Sequence, residues 1–142
     1  MLKQRLITVL WALPLVTAVT WFGEPWFTLL VAICGLLAAR EFYRMAAVTA
    51  SPLTNLGLIW TLLFILSPHF EYSRTAHLLL TSALVLSLIW LVLRRRERAF
   101  ASWTWTMAGI LYIGWLLSQL VALRGLDAGR DWVFLTLFTT FA

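Results

Sequence analysis

Charge and cysteine are what this sequence has least of. Only 12% of its 142 residues are charged, where a soluble domain carries about a quarter. So thin a polar complement cannot form the outer shell of a soluble domain with this much apolar surface. The single cysteine, Cys34, excludes a disulfide or a cysteine-built metal site within one chain, and says nothing about redox compartment. Phosphate-binding Gly-Lys-Ser/Thr loops, dinucleotide glycine motifs, paired-cysteine motifs and nucleophile elbows are all missing. The net charge of +5 does not point to nucleic acid, because the Lys and Arg residues sit at the ends of apolar runs and form no groove with aromatic platforms.

What is present is hydrophobicity, at 62% of the chain. A bilayer core of about 30 Å takes about 20 apolar residues per helix, so the runs predict an all-α, polytopic transmembrane helical bundle of five spans plus an incomplete sixth. The helices are expected over 6–22, 26–48, 54–67, 77–93, 103–123 and 132–142, forming one membrane domain. Lys3 and Arg5 ahead of the first run resemble a signal peptide, but the run is long for that and lacks a small-residue cleavage site, so it reads as a retained helix kinked at Pro14. Gly23, Glu24 and Pro25 mark a hairpin flanked by Trp21 and Trp26 at aromatic-belt positions. The third run, bounded by Pro52 and Pro68, is short and is the weakest span. Asp131 is placed to cap the last helix. That run rises only ~16 Å, about half a bilayer core, which predicts a chain continuing beyond Ala142.

The basic residues alternate in number between loops. Lys3, Arg5, Arg40, Arg44, Arg94, Arg95, Arg96 and Arg98 fall on one side, and Arg74, Arg124 and Arg130 on the other. This bias predicts a cytoplasmic N-terminus.

Among polar residues, Glu41 stands out, since a carboxylate near hydrocarbon needs a partner and Arg44 lies at i+3. The preferred reading is that 26–39 already uses most of the membrane thickness, leaving Arg40, Glu41 and Arg44 to snorkel into the head-group region. Arg94, Arg95 and Arg96 form first a topology determinant and second a lure for anionic lipid. Glu41, Arg44, Arg94, Arg95 and Arg96 are therefore the interfacial candidates. His69 and His77 lack metal-site spacing and read as solvated loop residues, and Asp127 and Asp131 read as loop and capping residues. The residues themselves offer no catalytic, cofactor or metal site, and leave open a non-enzymatic scaffold or a transporter component. A transporter is disfavoured by the lack of an internal repeat and of midplane polar residues.

Three stretches, MLKQRLITVLWALPLV, EPWFTLLVAICGLLAAREFYRM and GILYIGWLLSQLVALRGLDAGRDWVFLTLFTTFA, together resemble the N-terminal half of the phosphatidate cytidylyltransferase (CDP-diacylglycerol synthase) family. The shared pattern is a basic start, a Gly-Pro-Trp hairpin, the aromatic-flanked Glu41, and Tyr112 to Gly114. The middle, 51–101, adds little. The resemblance implies a bacterial inner-membrane parent enzyme of phospholipid biosynthesis. It would transfer a cytidylyl group from CTP to phosphatidate, releasing pyrophosphate, with Mg2+ as cofactor. A homo-oligomer is compatible with this. The family's later signature of Lys-Asp, His-Gly-Gly and Asp-Arg is absent from these 142 residues, so the resemblance assigns no catalytic or metal residue here and implies an inactive front segment.

Overall fold

The computed structural model describes residues 11, 14–93 and 98–141. The N-terminal basic pair, the start of the first run, and the candidates Arg94, Arg95 and Arg96 lie outside the described residues. Within them the chain is helical and contains no strand. Helix α1 occupies 14–22, α2 Trp26–Ala46, α3 Thr54–Leu66 and α4 Tyr72–Leu93. Helix α5 runs through Ala99–Arg124, and α6 covers Gly129–Phe141.

Three of these, Trp26–Ala46, Arg74–Leu93 and Ala99–Arg124, are long and apolar enough to cross a membrane. Their 21, 20 and 26 residues rise about 32, 30 and 39 Å. The five-span count is not reached among the described residues. Helix α3 has only 13 residues, about 20 Å. It starts after Pro52 and ends in a 3₁₀ turn, Ser67–His69, because Pro68 has no N–H to continue the helical ladder.

Short as it is, α3 forms the middle of the bundle, packed against α2, α4 and α5. One cluster joins Phe27 and Val31 of α2 to Ile65, Val121 and Val133. A second joins Phe64 to Ala83, Met107 and Ile110. Apart from the Tyr43 phenol, the buried polar side chains among the described residues are serines and threonines: Thr20, Thr28, Thr61, Ser67, Ser87, Ser102, Thr106 and Ser118. Small and hydroxyl side chains are what let helices approach in lipid, where apolar burial gives little drive between them. Several hydroxyls donate back to the preceding turn, as Thr20 does to the Val16 carbonyl at 2.7 Å and Thr106 to that of Ser102 at 2.7 Å. Outward faces are apolar, with Leu29, Ile33 and Leu37 on α2 and Val85, Ile89 and Val92 on α4 all exposed.

Helix α5 is interrupted by a π-helical stretch, Ile110–Trp115. An added Cβ on Gly114 would stand 3.0 Å from the Thr61 Cα, so the wide turn sits where α3 comes closest. Nothing in the residue pattern announces this widening.

Alternating hairpins give the bundle two ends. One carries Gly23–Pro25, His69 and the Arg124–Gly129 turn. The other carries 47–53 and the start of α5, tied by Ser51 N–H to Ser102 Oγ at 3.1 Å and Leu53 N–H to Thr106 Oγ1 at 2.9 Å. At the first end Gly23 adopts φ 79°, in the left-handed region that favours glycine. A Cβ there would lie 2.8 Å from Nη2 of Arg124, whose Nε donates to the Thr20 carbonyl at 3.3 Å. Gly23→Ala is expected to cost about 1–2 kcal/mol from backbone conformation alone, lowering the Tm in mild detergent by roughly 3–6 °C. An unchanged Tm contradicts this reading of the hairpin.

Candidate functional site

The interfacial candidates on α2 occupy its last two turns. Helical periodicity turns Phe27, Val31, Gly35, Ala39, Tyr43 and Ala46 inward, which leaves Leu37, Arg40, Glu41 and Arg44 on the outside as the walls of one open depression. Arg44 Nη1 stands 3.8 Å from Glu41 Oε1, with both side chains largely exposed, at 81% and 66%. An exposed i,i+3 pair at this distance contributes a few tenths of a kcal/mol to the helix. Its position is the more informative feature, at the end of an apolar outward face.

Helix α5 begins beside this end. Arg98 adopts φ 60° ahead of Ala99, and its Nη1 donates to the Thr49 carbonyl at 3.4 Å. That contact draws a guanidinium across the connection between α2 and α3, at the same end as Arg40 and Arg44.

The opposite end holds a second set of polar groups, and here two expectations need correction. His69 is not merely solvated. Its Nε2 is 2.9 Å from Thr28 Oγ1 and its Nδ1 3.6 Å from Glu24 Oε2, so it bridges the hairpin before α2 to the turn after α3. No local pattern hints at this, because the 41 residues separating Thr28 from His69 close only in the fold. Asp131 is not an N-cap either. Helix α6 starts two residues earlier, which puts Asp131 inside the first turn, where its charge still favours the helix dipole. It lies 3.8 Å from Arg130 Nε, and Arg130 Cζ sits 4.5 Å above the Trp21 ring, a cation–π contact fastening α6 to α1. His77 stands exposed on α4 rather than in a loop.

On the inner side of the Arg40–Arg44 end, sequence reading missed a polar junction. Tyr43 is fully buried and its hydroxyl donates to the Thr106 carbonyl at 3.1 Å, linking α2 to α5. The phenol lies between Gly57 of α3 and Gly109 of α5, and a Cβ on either would collide with it. The available signal was the inward spacing of Gly35, Ala39, Tyr43 and Ala46 at i+4, i+4 and i+3, hidden by the charged neighbours in REFYR.

None of these groups fits a divalent metal. Among the described residues no three His, Cys, Asp or Glu side chains come together. Glu41 is paired with Arg44 and Glu24 with His69, at opposite ends of α2. No chemical step through a metal can be built on the described residues.

Residues 3–142 match the model of the cytidylyltransferase family. No curated protein matches the chain, and no solved structure does.

Proposed function

We propose a function from one premise: the chain belongs to the cytidylyltransferase family, and such a family supports nucleotidyl transfer that uses CTP. The acceptor we infer is phosphatidate, with CDP-diacylglycerol and pyrophosphate as products, in phospholipid biosynthesis. The observation that carries this reading is the outward face of the bundle. Helices long enough to cross a bilayer present Leu, Ile, Val and Trp to their surroundings. A member of a CTP-using family with such an exterior resides in lipid, and the acceptor most available to it there is itself a lipid.

In the proposed reaction an oxygen of the phosphatidate monoester attacks the α-phosphorus of CTP, and the bond to the β-phosphate breaks as pyrophosphate leaves. Both reactants are anionic, so positive side chains near the meeting point lower the electrostatic cost of bringing them together. Arg40, Arg44 and Arg98 lie at one end of the bundle, and the basic run 94–96 directly precedes this end of α5 in the sequence, two residues before Arg98. The proposal places this end, with the N-terminus, on the cytoplasmic side of a bacterial inner membrane, where CTP is available. The role assigned to these residues is to hold the membrane wall of the enzyme and to gather anionic lipid at its nucleotide side. Mg2+ is proposed as the cofactor of the reaction, and no residue among those described is assigned to hold it.

Depletion of the reading frame that encodes this chain tests the proposal in cells. Phosphatidate is expected to accumulate several-fold while CDP-diacylglycerol falls. Unchanged levels of both lipids favour a non-enzymatic scaffold instead.

A further inference from the structure

The outward face of α2 is graded along its length. At about 100° per residue, Trp26, Leu29, Ile33, Leu37, Arg40 and Arg44 fall within an arc of roughly 80°, and all six are exposed. From Trp26 to Arg44 the helix rises about 27 Å, close to the thickness of a bilayer core. With the Trp26 ring at one interface, Arg44 reaches the other, and Arg40 sits about 6 Å deeper, beside hydrocarbon.

Two guanidiniums at i,i+4 repel each other, and the one carboxylate on this turn is engaged with Arg44. Arg40 has no ion-pair partner among the described residues. A guanidinium at the edge of the apolar region without a carboxylate calls for an anion that is itself anchored there. Phosphate oxygens match guanidinium donors in charge and geometry. A phospholipid brings its phosphate to this depth and its acyl chains to the apolar strip directly beneath.

We propose that Arg40 and Arg44 hold the phosphate of an anionic phospholipid whose acyl chains lie along Leu37, Ile33 and Leu29. Glu41 limits the affinity by competing for Arg44. The site lies on the outer surface of the bundle and deepens the lipid-gathering role proposed above for these arginines, but its test reads lipid association and not cytidylyl transfer, so the two readings fail separately.

Cys34, the only cysteine and an exposed one, lies one turn from Leu37 and provides the probe. A small fluorophore on Cys34 is quenched in phosphatidylcholine vesicles by a minor fraction of acyl-brominated lipid, either phosphatidylglycerol or phosphatidylcholine. Two arginines and one glutamate leave one net positive charge, and the expected association ratio of phosphatidylglycerol to phosphatidylcholine is about fivefold. The pair Arg40→Gln and Arg44→Gln leaves Glu41 with one net negative charge and brings the ratio to one or below, whereas Glu41→Gln raises it above that of the unaltered chain. Equal quenching by the two lipids in the unaltered chain overturns the proposal, as does a ratio that survives loss of both arginines. A ratio lowered by Glu41→Gln overturns it as well.

Discussion

Gly57→Ala and Gly109→Ala are each expected to destabilise the bundle by about 2 kcal/mol, although alanine is the better helix former by up to about 1 kcal/mol. The added methyl at either position meets the buried ring of Tyr43. A ring pressed from one side would ordinarily yield, but here the two glycines flank it, so retreat from one drives it into the other. The hydrogen bond to the Thr106 carbonyl further fixes the phenol. Thermal unfolding in mild detergent measures the loss. Tyr43→Leu introduced into either alanine background should recover part of it, because the narrower side chain frees the space. Gly35→Ala is the internal comparison. Its Cβ would approach Ile65 Cδ1 at 2.6 Å and Leu117 Cδ1 at 2.8 Å, the free ends of flexible side chains that can rotate away, so its cost should be clearly smaller. Equal losses at all three glycines contradict the assignment of Tyr43 as a wedge held on both sides.

Gly129→Ala is expected to have an effect of about 3 kcal/mol, for a different reason. At this position the Cβ would collide with the carbonyl of Arg124 and stand 2.6 Å from that of Leu123. Both are backbone atoms at the end of α5, where Gly125 N–H already bonds to the Val121 and Ala122 carbonyls. No side chain can move aside, so the turn between α5 and α6 has to open. Opening it pulls Val133 from the cluster with Phe27, Ile65 and Val121 and Arg130 from Trp21. Protease accessibility at 125–129 should rise along with the fall in Tm. A variant with the native Tm and an intact loop shows that the turn has room this packing denies it.

The sequence's apolar runs, and the polar breaks between them, carried the helical membrane class because bilayer thickness sets a length that composition can be measured against. The Glu41–Arg44 pair was likewise legible, since i,i+3 spacing on one helix fixes proximity without tertiary structure. The third run is short already in sequence, and its 13 helical residues leave α3 under the length of a full crossing. Its central place between α2 and α5 was not legible, as no local pattern says which apolar helix lies inside when all of them are apolar. Tyr43 escaped for a related reason. Surrounded by Arg40, Glu41 and Arg44, it reads as an interfacial aromatic, and only three-dimensional packing shows its ring turned inward against two glycines. His69 pairs with Thr28 and Glu24 across a fold-dependent gap, and the π-helical turn at Ile110–Trp115 has no sequence marker.

The most direct test is transfer of label from CTP carrying radioactive α-phosphate into lipid. Membranes from cells expressing the complete reading frame that encodes this chain are supplied with phosphatidate and Mg2+. Label entering the organic phase as CDP-diacylglycerol, in proportion to added phosphatidate and with matching release of pyrophosphate, is the predicted result. Label that stays in the aqueous phase, or enters lipid without regard to phosphatidate, contradicts the assignment of phosphatidate as the acceptor.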